Sequence, residues 1–181
     1  MRILNKNRQE RYEPCIGSTR EYLIQLLEER FGKLKRDPDE LLKKMQQKKK
    51  EIVERDGFPF LSGVKEAVSK LKEAGYILAV ASSSPTDVIE ETLNVLDVRD
   101  CFQSITSGRE VAMEKLGVSP QECLIIEDST NGGRAAKAAG AKCVWYHNPD
   151  SGDQNIPYAE LEIGEWNVEN VNKLIQIMKE N

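Results

Sequence analysis

Three short, nearly unbroken apolar runs constrain this chain more than anything else in it. They are Tyr76–Ala81 (YILAVA), Cys123–Ile126 (CLII) and Lys142–Tyr146 (KCVWY). A strand without an alternating polar face leaves no side for water, so it belongs inside a sheet covered on both faces. The segments between the runs carry helical spacing. Helices are predicted over residues 64–75, 86–96, 110–116, 133–139 and 168–178, with Phe102–Thr106 a weaker strand and Leu161–Ile163 an edge strand. Strands alternating with helices predict an α/β fold: a three-layer, Rossmann-like parallel sheet.

The first third of the chain has a different rhythm. Ser18 and Glu21 form a capping box at the head of a helix that uses Leu23, Ile24, Leu27 and Phe31 and stops at Gly32. Asp37-Pro38 opens a second helix, with Pro in its first turn. The lysines of that helix, Lys43, Lys44, Lys48, Lys49 and Lys50, read as a solvated face or as the edge of a site for an anionic substrate. Asp56-Gly57-Phe58-Pro59 is a turn and a boundary. The expected division is a small helical cap over residues 1–57 and an α/β core over 58–181. Residues 1–56 hold 15 basic and 11 acidic side chains, whereas the whole chain of 181 carries a net charge of −4, so the helical part is basic and the core acidic.

Composition removes several classes of function. Mild net acidity gives no footing for nucleic acid or an anionic membrane as the main partner. No run approaches the ~18 apolar residues of a membrane span. The start, Met1-Arg2-Ile3-Leu4-Asn5-Lys6-Asn7, is too polar for a signal peptide. Cys15, Cys101, Cys123 and Cys143 lie far apart, as reduced thiols of a cytoplasmic protein would. His147 is the single histidine, which excludes multi-histidine metal sites. Chemistry must come from carboxylates, hydroxyls, lysine or backbone amides.

In open parallel sheets, ligands bind beyond the carboxyl ends of the strands. After Tyr76–Ala81 come Ser82-Ser83-Ser84-Pro85, and hydroxyls leading into a helix N-terminus make either an anion cradle or an ordinary helix cap. After Cys123–Ile126 come Glu127-Asp128-Ser129-Thr130-Asn131-Gly132-Gly133. Two adjacent carboxylates at a buried strand end repel each other, and a hard cation such as Mg²⁺ offsets that cost. The alternative is that Asp128 or Ser129 merely caps the next helix. The two glycines are expected to make a tight turn.

Taken together, these segments resemble the haloacid dehalogenase superfamily of phosphohydrolases, in its branch with a small helical cap. GYILAVASSSP is similar to the family's second motif, whose first hydroxyl binds the transferring phosphoryl group, which implies that role for Ser82, with Ser83 beside it. ECLIIEDSTNGGRAAKAAGAKCVW resembles the fourth motif, whose acidic pair holds Mg²⁺, which implies Glu127 and Asp128. Ile16-Gly17-Ser18-Thr19-Arg20-Glu21 resembles the cap segment whose arginine contacts the substrate, which implies Arg20; Ser84 is a further candidate substrate contact. The implied partner is a small phosphorylated metabolite of the sugar-phosphate class.

Two elements of that pattern are not found. The family's first motif is a strand ending D-x-D-G, which supplies the nucleophile, the general acid/base and a further metal ligand. Asp56-Gly57 follows Glu54-Arg55 rather than an apolar run, and Ile3-Leu4-Asn5-Lys6-Asn7 offers amides where carboxylates are needed. The loop with the family's screening lysine is also missing after Val111, where only Arg109 or Lys115 stands nearby. The first-motif strand lies, in the family, between the strands read at residues 76–81 and 123–126. Those strands are therefore expected to be joined by residues 1–5, to pair directly, or to leave a weakened core. The resemblance implies a phosphatase or phosphomutase with its nucleophile not located. It leaves open an inactive relic, a binding module, or a fragment completed by another chain.

Overall fold

The structure is a computed structural model; it describes residues 20–34, 37–82, 84–106 and 109–180, the side chains of 109–112 excepted. The chain divides into two compact units, one within Ser18–Phe60 and one comprising Leu61–Asn181 among the described residues. The first holds α1 (Arg20–Phe31) and α2 (Pro38–Asp56). Asp37 caps α2 by accepting from the Asp39 N–H at 2.9 Å. Neither helix has a fully buried residue, as expected of a helix pair that is mostly charged surface.

The second unit runs α3 (Val64–Glu73), β1 (Leu78–Ala81), α4 (Thr86–Val95), β2 (Phe102–Thr106), α5 (Arg109–Leu116), β3 (Leu124–Glu127), α6 (Thr130–Ala139), β4 (Lys142–Tyr146), β5 (Leu161–Ile163) and α7 (Val168–Lys179). Every described strand pair is parallel. β1 lies beside β2, with Leu78 opposite Phe102 and Ala81 opposite Thr106. β3, β4 and β5 form a second sheet in that order, with Glu127 opposite Trp145 and Tyr146 opposite Ile163. The apolar runs thus become β1, β3 and β4, and the α/β architecture stands.

Element boundaries move for identifiable reasons. Tyr76 is not in β1, because its N–H closes the end of α3 on the Leu71 carbonyl at 3.2 Å. Cys123 is not in β3, because its N–H bonds the Pro120 carbonyl and completes a 3₁₀ turn over Pro120–Glu122. The glycines expected in a tight turn lie instead in the first turn of α6, which starts at Thr130 because Ser129 caps it. Among the described residues, the direct pairing of β1 with β3 does not occur: the two belong to separate sheets. The stub Asn5–Asn7 lies outside the described residues.

Each sheet has its own core. Val144, Tyr146, Ile163 and Leu174 cluster on one side of the β3–β5 sheet, with Trp166 packed against them. Ala136, Cys143 and Ile156 cluster on α6. Ile89, Leu93 and Val98 cover β2 through Phe102 and Ile105. Between the sheets is a cavity of about 580 Å³, lined by Leu78, Ala79 and Ala81 of β1 and by Leu124, Ile126 and Glu127 of β3. All four residues of each of these two strands are only partly buried.

Candidate functional site

The carboxyl ends of β1 and β3 carry the residues singled out above. Ala81 and Glu127, the last residues of those strands, line one cavity, and Ser82 and Asp128 follow them directly. Ser82 extends the β1–β2 ladder through its N–H to the Thr106 carbonyl at 3.0 Å. Its hydroxyl accepts the Ser84 N–H at 3.1 Å, the geometry of a serine turn. Ser83 lies outside the described residues. Of the two readings of these hydroxyls, the helix cap is not seen among the described residues: Pro85 is the N-cap of α4, with no side-chain bond to the first turn.

The acidic pair is held differently. Ser129 is only 1% exposed, and its hydroxyl does two things at once. It accepts the Gly132 N–H at 3.0 Å and donates to Glu127 Oε2 at 3.1 Å. Gly132 lets the carboxylate pack close on α6: a Cβ there would sit 1.9 Å from Glu127 Oε2 and push that side chain aside. The cap of α6 is thus Ser129, and Asp128 is released from that duty. Asp128 Oδ2 accepts from Asn148 Nδ2 and from Ser151 Oγ, both at 2.7 Å. Asn148 and Ser151 escaped the sequence reading. A buried serine (4% exposed) in an Asn-Pro-Asp-Ser turn after β4 is a signal only once its partner is known.

Ser129→Ala is expected to cost about 1–2 kcal/mol, from the lost cap and the lost bond to a carboxylate. The measurement is the urea midpoint at constant m-value.

A small cavity of about 190 Å³ is lined by Ile126, Glu127, Asp128, Tyr146 and Trp166. That is room for several waters, as a hydrated cation needs. Mg²⁺ keeps most of its waters and needs only one or two carboxylates, so the acidic pair fits it. Among the described residues no third acidic, cysteine or histidine side chain joins the pair. Tyr146 stays protonated here, because burial first and then the charges of Asp128 and Asp150 push its phenol above its ordinary value.

Arg20 lies in the helical unit. Its guanidinium bonds Asp39 and stands 3.7 Å from Glu21. The Asp39 bond, reinforced by that charge, holds the guanidinium pKa above its usual value. His147 stacks on Trp145 at 3.9 Å and meets Glu162 at 3.1 Å on the surface. The Arg109 side chain and residues 107–108 lie outside the described set.

Comparisons with known proteins follow the same lines. Hexitol phosphatase B of Escherichia coli (strain K12) is 36% identical over 111 residues, 55% of this chain and 49% of that protein. A phosphorylated carbohydrates phosphatase of Thermotoga maritima is 29% identical over 132 residues, 65% of this chain and 59% of that one. The chain thus spans about half the length of the first of these curated relatives. Among solved structures, β-phosphoglucomutase from Clostridium difficile superposes with a TM-score of 0.71 at 21% identity, over 95% of this chain and 83% of that one. CbbY from Rhodobacter sphaeroides in complex with phosphate gives 0.73 at 18%, over 90% and 79%. Both solved structures share the fold, and residues 3–146 match the profile of a family already suggested by the strand ends. The chain belongs to the haloacid dehalogenase-like hydrolases.

Proposed function

We propose that this chain carries the phosphate- and cation-holding part of a phosphatase or phosphomutase site for a small phosphorylated metabolite of the sugar-phosphate class. The observation that supports it is the placement of Ser82 and the Glu127–Asp128 pair directly after two strands whose last residues line one cavity. Ser82, with Ser83 beside it, binds the phosphoryl oxygens through its hydroxyl. Glu127 and Asp128 hold Mg²⁺, which, when bound, withdraws charge from the phosphoryl group and so eases attack on phosphorus. Ser129 fixes the Glu127 carboxylate. Ser84 contacts the rest of the substrate. Phosphoryl transfer needs all these groups positioned together with a nucleophile. Among the described residues, no aspartate other than Asp128 stands at a strand's carboxyl end. The nucleophile therefore comes from outside them.

A second reading is favoured by the separation of β1 from β3: the chain is a fragment, completed by a strand from a complementing chain. One experiment addresses both. Phosphate release is measured on a panel of hexose, pentose and hexitol phosphates with 5 mM-scale Mg²⁺, alongside binding of inorganic phosphate. Binding with background turnover is expected from the isolated chain, and Ser82→Ala weakens it about tenfold, the loss of one hydrogen bond to a charged group. Robust turnover by the isolated chain removes the fragment reading. Neither turnover nor phosphate binding removes the main one.

A further inference from the structure

Asn148 and Ser151 belong to no motif, yet both aim a donor at one atom. Asn148 Oδ1 accepts the Asp150 N–H at 3.1 Å, which fixes the amide so that Nδ2 faces Asp128. The Asn148 carbonyl accepts the Ser151 N–H at 3.1 Å, closing the turn that brings the Ser151 hydroxyl to the same carboxylate. A carboxylate accepts only, so the hydroxyl is the donor. Both bonds land on Oδ2, and among the described residues Oδ1 receives none. The turn is anchored in its own right: Gln154 Nε2 donates to the Ser151 carbonyl, and Gln154 Oε1 accepts the Thr130 N–H, each at 2.8 Å.

The chemistry of the donors matters as much as their aim. A lysine or arginine would orient Asp128 equally well, but it would neutralise the carboxylate and repel a cation. Two neutral donors saturate one oxygen, keep the full negative charge, and leave the other oxygen to a metal. We infer that Asn148 and Ser151 are positioning residues that present Asp128 Oδ1 to a divalent cation. This rests on the reading of Asp128 as a cation ligand, so the test separates the two.

The probe is Mn²⁺ alone, titrated into the full chain and followed by its electron paramagnetic resonance signal, with urea midpoints measured without metal. Wild type binds one Mn²⁺ and Asp128→Ala does not. The double variant Asn148→Ala/Ser151→Ala binds 10- to 100-fold more weakly, the range typical of lost outer-shell partners. Gln154→Ala, which loosens the same turn without touching Asp128, changes the affinity less than threefold. No binding by wild type overturns both the ligand reading and the positioning role. Binding by wild type with an unchanged double variant overturns the positioning role alone, as does an equal loss in Gln154→Ala. Should the double variant fail to fold, the single Asn148→Ala variant, at the half-buried Asn148 rather than the buried Ser151, carries the same comparison.

Discussion

Replacing Gly63 with alanine is expected to lower the stability of the α/β unit by about 3–4 kcal/mol. Gly63 is the N-cap of α3 and sits at φ 81°, a left-handed conformation that costs a side-chain-bearing residue about 1–3 kcal/mol. A Cβ there would also lie 1.9 Å from the Trp166 carbonyl oxygen. That obstacle is backbone, which cannot rotate away as a side chain can, so the segment carrying Trp166 must move. Trp166 packs on Tyr146 with ring centroids 5.3 Å apart and leans on the Val144–Ile163–Leu174 core. Overpacking of this kind adds roughly 1–3 kcal/mol. Against a total stability of about 5–15 kcal/mol the loss is a large fraction, and at ~2–4 °C per kcal/mol it lowers Tm by about 10 °C. Gly75→Ala is the matched control, with φ 87° but nothing within 4 Å of the added Cβ; it should cost only the conformational part. Equal losses in the two variants would show that the Trp166 segment yields freely.

What the sequence made legible was governed by local physics. Continuous apolar runs located β1, β3 and β4 to within one or two residues, and the mismatches came from hydrogen bonds that close the preceding turn, at Tyr76 and at Cys123. The acidic pair was visible because two carboxylates after a buried strand are expensive without a counter-charge. Which of Asp128 and Ser129 caps α6 was not visible, because both residue types are good caps; the bond from Gly132 to Ser129 decides it. The same bond explains why Gly132 and Gly133 are helical rather than a turn. Asn148 and Ser151 were out of reach for another reason. They meet Asp128 across 20 and 23 residues of chain, and nothing in a single sequence marks so distant a pairing. Direct pairing of β1 with β3 was one of three readings, and among the described residues the strand order excludes it.

The edges of β1 and β3 give the largest effect expected in solution. The Ser82 N–H bonds the Thr106 carbonyl across the β1–β2 ladder. By the two-residue period of a strand, the N–H groups of Ala79 and Ala81 point to the opposite edge, toward the cavity. There they have no ladder partner among the described residues. At ~3.3 Å per residue and ~4.8 Å between strands, a cavity of about 580 Å³ has room for a short strand. Its walls are apolar, with Val64, Val68, Leu71 and Leu116 from flanking helices, so the fitting segment is apolar on both faces. Hydrogen exchange is therefore expected to be fast at Ala79 and Ala81 in the free chain. It is expected to slow at least 100-fold when a lysine-flanked Val-Ile-Ile-Val peptide is added, with Val80 little changed. An alternating Val-Asp peptide of equal length should give no protection. Slow exchange at Ala79 and Ala81 before any peptide is added would mean that the chain fills this position itself, and the complementing-chain reading would fall.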